Sequence, residues 1–291
     1  RQVILQEIAA TRDSPDDIGY DLLHDAAFPE QSLGRPILGT PESVSSFTAG
    51  DLKRFLGRRY GPGNMVISAA GSIRHENVVR HAEALFGGLT DGKRTTGERT
   101  AKYVGGVRVS EKPFEQSHLL IGFPGPSYRE DAFFTAQVFS GLFGGGMSSR
   151  LFQEVREKRG LCYTVSASPH SVRGSGSILA YAGTTPERCQ ETLDVLIAEL
   201  RRLELGVTPE ELGRAEVGVL SDLVMQSETS RARAGGLARD QYLLGQVRTM
   251  EEIRAGVKAV TPDSIYSFLQ EHPARDFTVA TLGPQALEVK E

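Results

Sequence analysis

The sequence predicts an α+β fold of two homologous lobes, each a mostly antiparallel sheet packed with helices, with the first lobe incomplete at its N-terminus. Three observations predict it. The 291 residues exceed the usual size of one domain. Helical and strand-like segments follow one another along most of the chain. A pattern of apolar residues and threonines near residue 44 also recurs near residue 257.

Composition excludes several classes of protein. The net charge of -4, with arginines interspersed among acids, argues against a nucleic-acid partner, which needs a clustered basic face. No apolar run approaches the roughly 18 to 20 residues of a membrane-spanning helix. Cys162 and Cys189 lack metal-ligand spacing and are predicted to be small buried residues.

The first segment, residues 1–90, is predicted to be the C-terminal part of the first lobe. Helical periodicity covers residues 1–27, and Ser14-Pro15 interrupts it, since serine caps helices and proline suits the first helical position. Glycine and proline then predict a loop over 28–39. The remaining predicted elements are, in order, short helices starting at Thr40-Pro41 and at Thr48, a strand over 65–70 ending at Gly71, and a helix over 75–86.

Residues 87–106 lose apolar periodicity and gain glycine, threonine and charge, as interdomain linkers do. We therefore place a linker at 91–104 and a complete second lobe at 105–291. The periodicity of the second lobe predicts strands over 107–110, 118–123, 163–167 and 177–183, helices over 131–142 and 148–158, a helix from Thr185-Pro186 with Leu193, Leu196, Ile197, Leu200 and Leu203 on one face, and a further helix opened by Thr208 and Glu211.

An internal repeat relates the two lobes. A constant offset of 213 aligns Val44, Phe47, Thr48, Leu52 and Phe55 with Val257, Val260, Thr261, Ile265 and Phe268, and 65–71 then matches 278–283 with one residue deleted. This ordered set predicts duplication of one helix-and-sheet unit. The first copy lacks its opening portion, so we expect the chain to be truncated at its N-terminus.

The usual catalytic motifs are absent from the sequence. It contains no nucleophile elbow, phosphate loop or dinucleotide fingerprint. Among its six histidines, His75 and His81 are the close pair, and a separation of six places them on nearly opposite faces of a helix. These histidines therefore do not predict a metal site.

The segment Gly144–Tyr163, GGGMSSRLFQEVREKRGLCY, carries the chemistry of the chain. Helix propensity alone predicts a charged helix that begins with glycines and is exposed to solvent. Arg156 and Tyr163 lie seven residues apart, however, and Gly160 breaks the helix between them. That break lets a guanidinium and a phenol converge on one cavity, where both could donate hydrogen bonds to a substrate carbonyl as it becomes an oxyanion.

This segment resembles the second-lobe signature of the zinc peptidases typified by pitrilysin, insulinase and the mitochondrial processing peptidase, and suggests a bacterial processing-peptidase-like member. The resemblance implies that Arg156 and Tyr163 face the active site across a cleft between the lobes. The opening residues RQVILQEI resemble the helix that carries the third zinc ligand of that family, which falls on Glu7. The family's two histidine ligands and general base belong to an H-x-x-E-H element that these 291 residues do not contain.

The resemblance leaves two functions open. The intact parent is expected to be a zinc-dependent metalloendopeptidase that cleaves a peptide or unfolded polypeptide between its lobes, while the chain itself is expected to be inactive and to bind no zinc tightly. The alternative is a non-catalytic peptidase-like subunit that binds peptides or acts as a scaffold. Members of the family form homodimers or heterodimers with a homologous subunit and occur in the bacterial cytoplasm or are exported, so the compartment stays open.

Overall fold

The helices and strands follow the predicted order closely. A computed structural model describes residues 1–89, 100–273 and 277–289. Its α-helices are α1 (Gln2–Arg12), α2 (Pro15–Ala27), α3 (Pro41–Ser46), α4 (Ala49–Arg59), α5 (His75–Phe86), α6 (Phe133–Gly144), α7 (Cys189–Leu203), α8 (Pro209–Ser227), α9 (Ser230–Leu244), α10 (Met250–Lys258) and α11 (Pro262–Glu271). Its strands are β1 (Gly106–Glu111), β2 (Ser117–Gly125), β3 (Cys162–Ser171), β4 (Gly176–Thr184) and β5 (Thr278–Gly283).

The five strands form one mixed sheet in the order β1-β5-β2-β4-β3. Strands β1 and β5 pair in parallel, and every other neighbouring pair is antiparallel. The predicted α+β class with a mostly antiparallel sheet is therefore confirmed. The sheet is built from residues of the segment predicted to be the second lobe.

One face of this sheet carries the main core. Alternating residues of the central strand β2 point into it, namely Leu119, Ile121 and Phe123, and meet apolar residues of α6, α7 and α11. Phe139 of α6 packs at 5.4 Å from Phe268 of α11, measured between ring centroids. The apolar face predicted for α7 is confirmed, because all five of its residues are buried.

The opposite face of the sheet is covered by α2, which belongs to the first segment. Leu23 of α2 forms a small buried cluster with Leu120, Leu179 and Ala280 from three strands. Val104, the last residue of the predicted linker, donates its backbone N–H to the Ala27 carbonyl at 2.9 Å. Linker residues 91–99 lie outside the described residues.

The strand predicted over 65–70 is wrong. Met65 has an extended backbone, yet none of residues 65–70 pairs with a strand of the described residues. A strand needs a neighbour to satisfy its N–H and C=O groups, and a short apolar run cannot show whether that neighbour is present. The segment instead touches α9, since the Ser68 hydroxyl donates to the Ala234 carbonyl at 2.7 Å.

The short helices of both repeat copies form as predicted. Thr48 caps α4 in a reciprocal box with Asp51, and Thr261 caps α11 in a reciprocal box with Ser264. Thr208 and Glu211 form the predicted box at α8. Short-range signals therefore fix where these helices begin. At α2, Pro15 takes the first helical position, but the Ser14 side chain makes no capping bond.

Candidate functional site

The glycine-rich segment begins at the C-terminal end of α6, where this helix packs against β3. Gly144 ends α6 directly against β3, and a Cβ placed on it would lie 2.3 Å from the Ala167 nitrogen. Only glycine allows that approach. The helical turns that follow are anchored in the core by Leu151 and Val155, both fully buried.

The predicted helix over 148–158 is present but has an unpredicted form. Residues Phe152–Glu157 are π-helical, with Lys158 donating its N–H to the Gln153 carbonyl at 3.0 Å, five residues back. A π-turn holds one residue more than an α-turn, and such turns are frequent at functional sites. Lys158 and Arg159 donate hydrogen bonds to the Glu154 carboxylate. These bonds stabilise the turn and lower the pKa of Glu154.

Gly160 ends this helix, as predicted. Its φ of 60° lies in the left-handed region that glycine adopts without strain. The chain reverses there, and Leu161 donates its N–H to the Val155 carbonyl at 2.9 Å. The chain then enters β3.

A β-bulge lies at the start of β3. Cys162 is paired with Thr184 and Thr164 with Gly183, so Tyr163 is the additional residue between two adjacent pairs. Cys162 and Val165 both join the core although they are three positions apart, which regular alternation would not allow. Bulges re-aim side chains and are over-represented next to active sites.

These irregularities bring Arg156 and Tyr163 together. The Arg156 guanidinium carbon lies 5.4 Å from the centre of the Tyr163 ring and 4.8 Å from that of Phe152. The Tyr163 side chain is 79% exposed, and Arg156 is half-buried. The pair therefore presents hydrogen-bond donors to solvent while ring contacts hold the guanidinium in place.

Glu7 lies apart from this pair. It is exposed on α1, and no hydrogen bond or ion pair of the described residues involves its carboxylate. None of the hydrogen bonds, ion pairs or ring contacts of the described residues joins it to Arg156 or Tyr163. Within the ranges that the structure describes, no three His, Cys, Asp or Glu side chains are grouped so as to hold a metal. Catalytic zinc normally takes three protein ligands, so the residues present do not fit a zinc site on their own.

A cluster that the sequence did not predict joins α2 to the sheet. The Tyr181 hydroxyl donates to the Asp16 carboxylate at 2.7 Å and lies 2.9 Å from Nδ1 of His118, which is 3.1 Å from the same carboxylate. Burial lowers the pKa of His118, and Asp16 opposes that shift. The three residues are far apart in sequence and match no motif, so only the fold reveals them.

The two cysteines are free and buried, as predicted. Burial raises the pKa of the Cys162 thiol to about 11, so it stays protonated near neutral pH. In the part of the chain that the structure covers, no helix is long and apolar enough to span a bilayer.

Proteins of related sequence show the family to which this chain belongs. Residues 46–216 match the peptidase family domain described as "Peptidase M16 inactive domain". The sequence is 35% identical over 287 residues to an "uncharacterized zinc protease" of Rickettsia bellii, a match that spans 98% of this chain and 69% of the relative. Proteins with the same description from Streptomyces coelicolor and Bacillus subtilis are 34% and 32% identical, with 98% of this chain and 64% and 69% of those relatives covered.

Solved structures show the same fold. The "peptidase M16 inactive domain" of Pseudomonas fluorescens superposes with a TM-score of 0.89 over 99% of this chain and 70% of that one, at 20% identity. A chain of "Complex III2 from Candida albicans" gives 0.90 over 97% of this chain and 70% of its own length, also at 20% identity. The chain belongs to the peptidase M16 family, and the resemblance to pitrilysin-type peptidases is confirmed.

Proposed function

We propose that the intact parent is a zinc-dependent metalloendopeptidase and that this chain supplies the substrate-facing side of its cleft. The family, and the zinc protease names of its relatives, support the hydrolase class. The substrate in this proposal is a peptide or unfolded polypeptide enclosed between two lobes. The cleaved bond lies within the polypeptide, which makes the activity that of an endopeptidase.

The juxtaposition of Arg156 and Tyr163 carries the proposal. The guanidinium and the phenol are donors on one exposed surface, held there by a π-turn, a left-handed glycine and a bulge. Both can donate hydrogen bonds to the oxygen of a scissile carbonyl. That oxygen gains negative charge as the tetrahedral intermediate forms, so both bonds strengthen in the transition state and lower the barrier.

Glu7 has a narrower role in the proposal, as the third zinc ligand of the intact parent. When bound, zinc in such enzymes lowers the pKa of its water and polarises the carbonyl. A single carboxylate cannot hold catalytic zinc, so the chain alone is proposed to be inactive. The part of the reaction assigned to this chain is stabilisation of the oxyanion.

The proposed domain organisation has a first unit over 1–90, a linker over 91–104 and a second homologous unit over 105–291. The matching helices α4 and α11 support it, because each begins at a threonine that caps it in a reciprocal box, and the two threonines, Thr48 and Thr261, correspond in the repeat. The second unit holds the sheet, and the proposal assigns no metal site to it. Assembly as a homodimer or a heterodimer with a homologous subunit is part of the same proposal.

A non-catalytic subunit is the second candidate function. The matched domain carries the description "inactive", and one solved neighbour belongs to a multi-subunit complex. The chain would then bind peptides or act as a scaffold. Retention of Glu7 together with Arg156 and Tyr163 favours the catalytic candidate.

One experiment separates the candidates. The full-length parent, loaded with zinc, is assayed on a quenched fluorescent peptide. We expect Glu7→Gln to abolish activity and zinc retention. Tyr163→Phe should lower kcat by about 10- to 1000-fold with zinc retained, because one oxyanion donor is lost.

The matched control is Tyr266→Phe, an exposed tyrosine of α11 outside the proposed site, which should leave kcat unchanged. Full activity of the Tyr163→Phe variant would overturn the role of the phenol. An inactive wild-type parent that still binds the peptide would support the non-catalytic candidate.

A further inference from the structure

The outer edge of β3 has unpaired backbone groups. The strand lies at the end of the sheet, and apart from its ladder to β4 no hydrogen bond of the described residues reaches the backbone of 163–170. Thr164, Ser166 and Ser168 are exposed on it. An open edge of this kind is a template for another extended chain.

A cavity of about 870 Å³ opens beside the same edge. Its walls come from β3 (Ala167, Ser168, Pro169), from α6 and the glycines after it, and from α8 and α9. Gly218 and Gly236 line it, and a Cβ on either would meet no atom within 4 Å. The cavity is therefore roomy because two helices present no side chain there.

Ser140 of α6 presents a buried hydroxyl to the cavity. The residue is 2% exposed, lines the cavity, and its Oγ has no hydrogen-bond partner among the described residues. Buried hydroxyls are nearly always paired, because leaving one unpaired costs free energy. A bound molecule with a polar group would supply the missing partner.

The charges around the cavity favour an acidic ligand. Arg248 and Asp240 neutralise each other at 2.8 Å. Arg214 and Arg239 line the cavity, are exposed, and have no ion-pair partner in the described ranges, whereas Asp222 contributes one opposing charge. The surplus is positive and suits a carboxylate next to an apolar group.

We propose that the β3 edge and this cavity together bind an extended peptide, with the peptide backbone paired to β3, an apolar side chain in the cavity and a carboxylate near Arg214 and Arg239. A peptide paired from Ser168 to Tyr163 spans roughly 17 Å, at about 3.3 Å per residue. Its far end reaches Tyr163 and Arg156. The inference deepens the proposed function and rests on it for the choice of a peptide as ligand, but binding here needs neither zinc nor hydrolysis.

Binding is tested by fluorescence anisotropy with the chain and a fluorescein-labelled, unstructured decapeptide that carries one phenylalanine and one glutamate. Gly218→Trp places an indole at the cavity wall, where a Cβ meets nothing within 4 Å, and should weaken binding at least 10-fold. The control is Gly213→Trp, on the same helix, where a Cβ also meets nothing within 4 Å but which does not line the cavity. The affinity of this control variant for the decapeptide should stay within twofold of the wild-type value.

If circular dichroism shows that Gly218→Trp is misfolded, Gly236→Trp on α9 replaces it. Equal binding by the filled and control variants would overturn the cavity assignment. Neither result depends on the roles of Glu7, Arg156 or Tyr163, so failure here leaves the proposed function standing.

Pairing with the edge is tested on the peptide itself. Two probes carry N-methyl groups on alternate amides, one on odd and one on even positions. Only alternate amides of an added strand face its neighbour, so one probe should lose at least 10-fold in affinity and the other little. Equal affinities, together with displacement of the peptide by dodecanoate, would mean that the cavity takes any amphipathic carboxylate and would overturn strand addition.

Discussion

The two copies of the repeat have the same sequence pattern and opposite surroundings. In the second copy, Ile265 and Phe268 are 1% and 2% exposed, packed under α6 and the sheet. Their partners in the first copy, Leu52 and Phe55, are 57% and 56% exposed. Both helices form nonetheless, with equivalent capping boxes. Caps and periodicity thus decide that a helix forms, whereas the packed neighbour decides how much its apolar face contributes to stability.

The largest expected effect tests this difference directly. Phe268→Ala should destabilise the chain by about 3 to 5 kcal/mol, because it leaves a cavity beside Phe139. Phe55→Ala, its partner in the repeat, should cost less than about 1 kcal/mol. Urea unfolding followed by circular dichroism measures both. Equal losses would mean that the first copy has a packed core of its own.

Glycines of the two copies should respond with opposite sign. Gly144→Ala forces a methyl group against β3 and should cost about 1 to 3 kcal/mol. In α4 of the first copy, a Cβ on Gly57 meets nothing within 4 Å, so Gly57→Ala should stabilise its helix by about 0.5 to 1 kcal/mol. Thermal unfolding of the two variants checks the signs. A stabilising Gly144→Ala would refute the close approach of α6 to β3.

The helices α2 and α9 should also differ in how their stability depends on pH. Burial lowers the pKa of His118 and of His24 at the contact between α2 and the sheet, whereas α9 contains no histidine. Folded pKa values below the unfolded value of about 6.5 mean that the unfolded state binds more protons, so stability falls as pH drops below about 6.5. The slope for one such proton is at most about 1.4 kcal/mol per pH unit.

Hydrogen exchange measures this effect at pH 7.5 and 5.5, after correction for intrinsic rates. Protection of residues 15–27 should decrease at the lower pH more than protection of 230–244. His118→Gln should remove part of the difference. Unchanged protection of α2 across this range would show that the histidines do not couple to its docking.

A small effect should be common to both copies. Thr48→Ala and Thr261→Ala each remove a side-chain acceptor from the third residue of the helix, at 3.2 Å and 3.1 Å respectively. Each should cost about 1 kcal/mol of local helix stability. Hydrogen exchange of the first turns of α4 and α11 compares them. A clearly larger loss in α11 would show that burial strengthens the cap.

Much of the fold could be predicted because its determinants are short-range. Threonine caps, proline at first helical positions and the apolar face of α7 all lie within a few residues of the structure they specify. The convergence of Arg156 and Tyr163 was predictable for the same reason, since Gly160 lies between them. The π-turn and the bulge were not, because each depends on how Val155 and Cys162 seat in a core assembled from distant strands. The Asp16, His118 and Tyr181 cluster joins residues up to 165 apart in sequence, and the failed strand over 65–70 needed knowledge of its neighbour.

The π-turn over Phe152–Glu157 determines the direction in which the side chains after it point from the helix axis. A regular α-helix over the same residues would rotate everything beyond it by about 100° around the axis. With Leu151 and Val155 fixed in the core, the guanidinium of Arg156 would then leave the ring of Tyr163. The segment should therefore accept many exchanges of side chain at its exposed positions, whereas a change that converts the π-helix into an α-helix should separate Arg156 from Tyr163, so that its helical form is under stronger constraint than its composition.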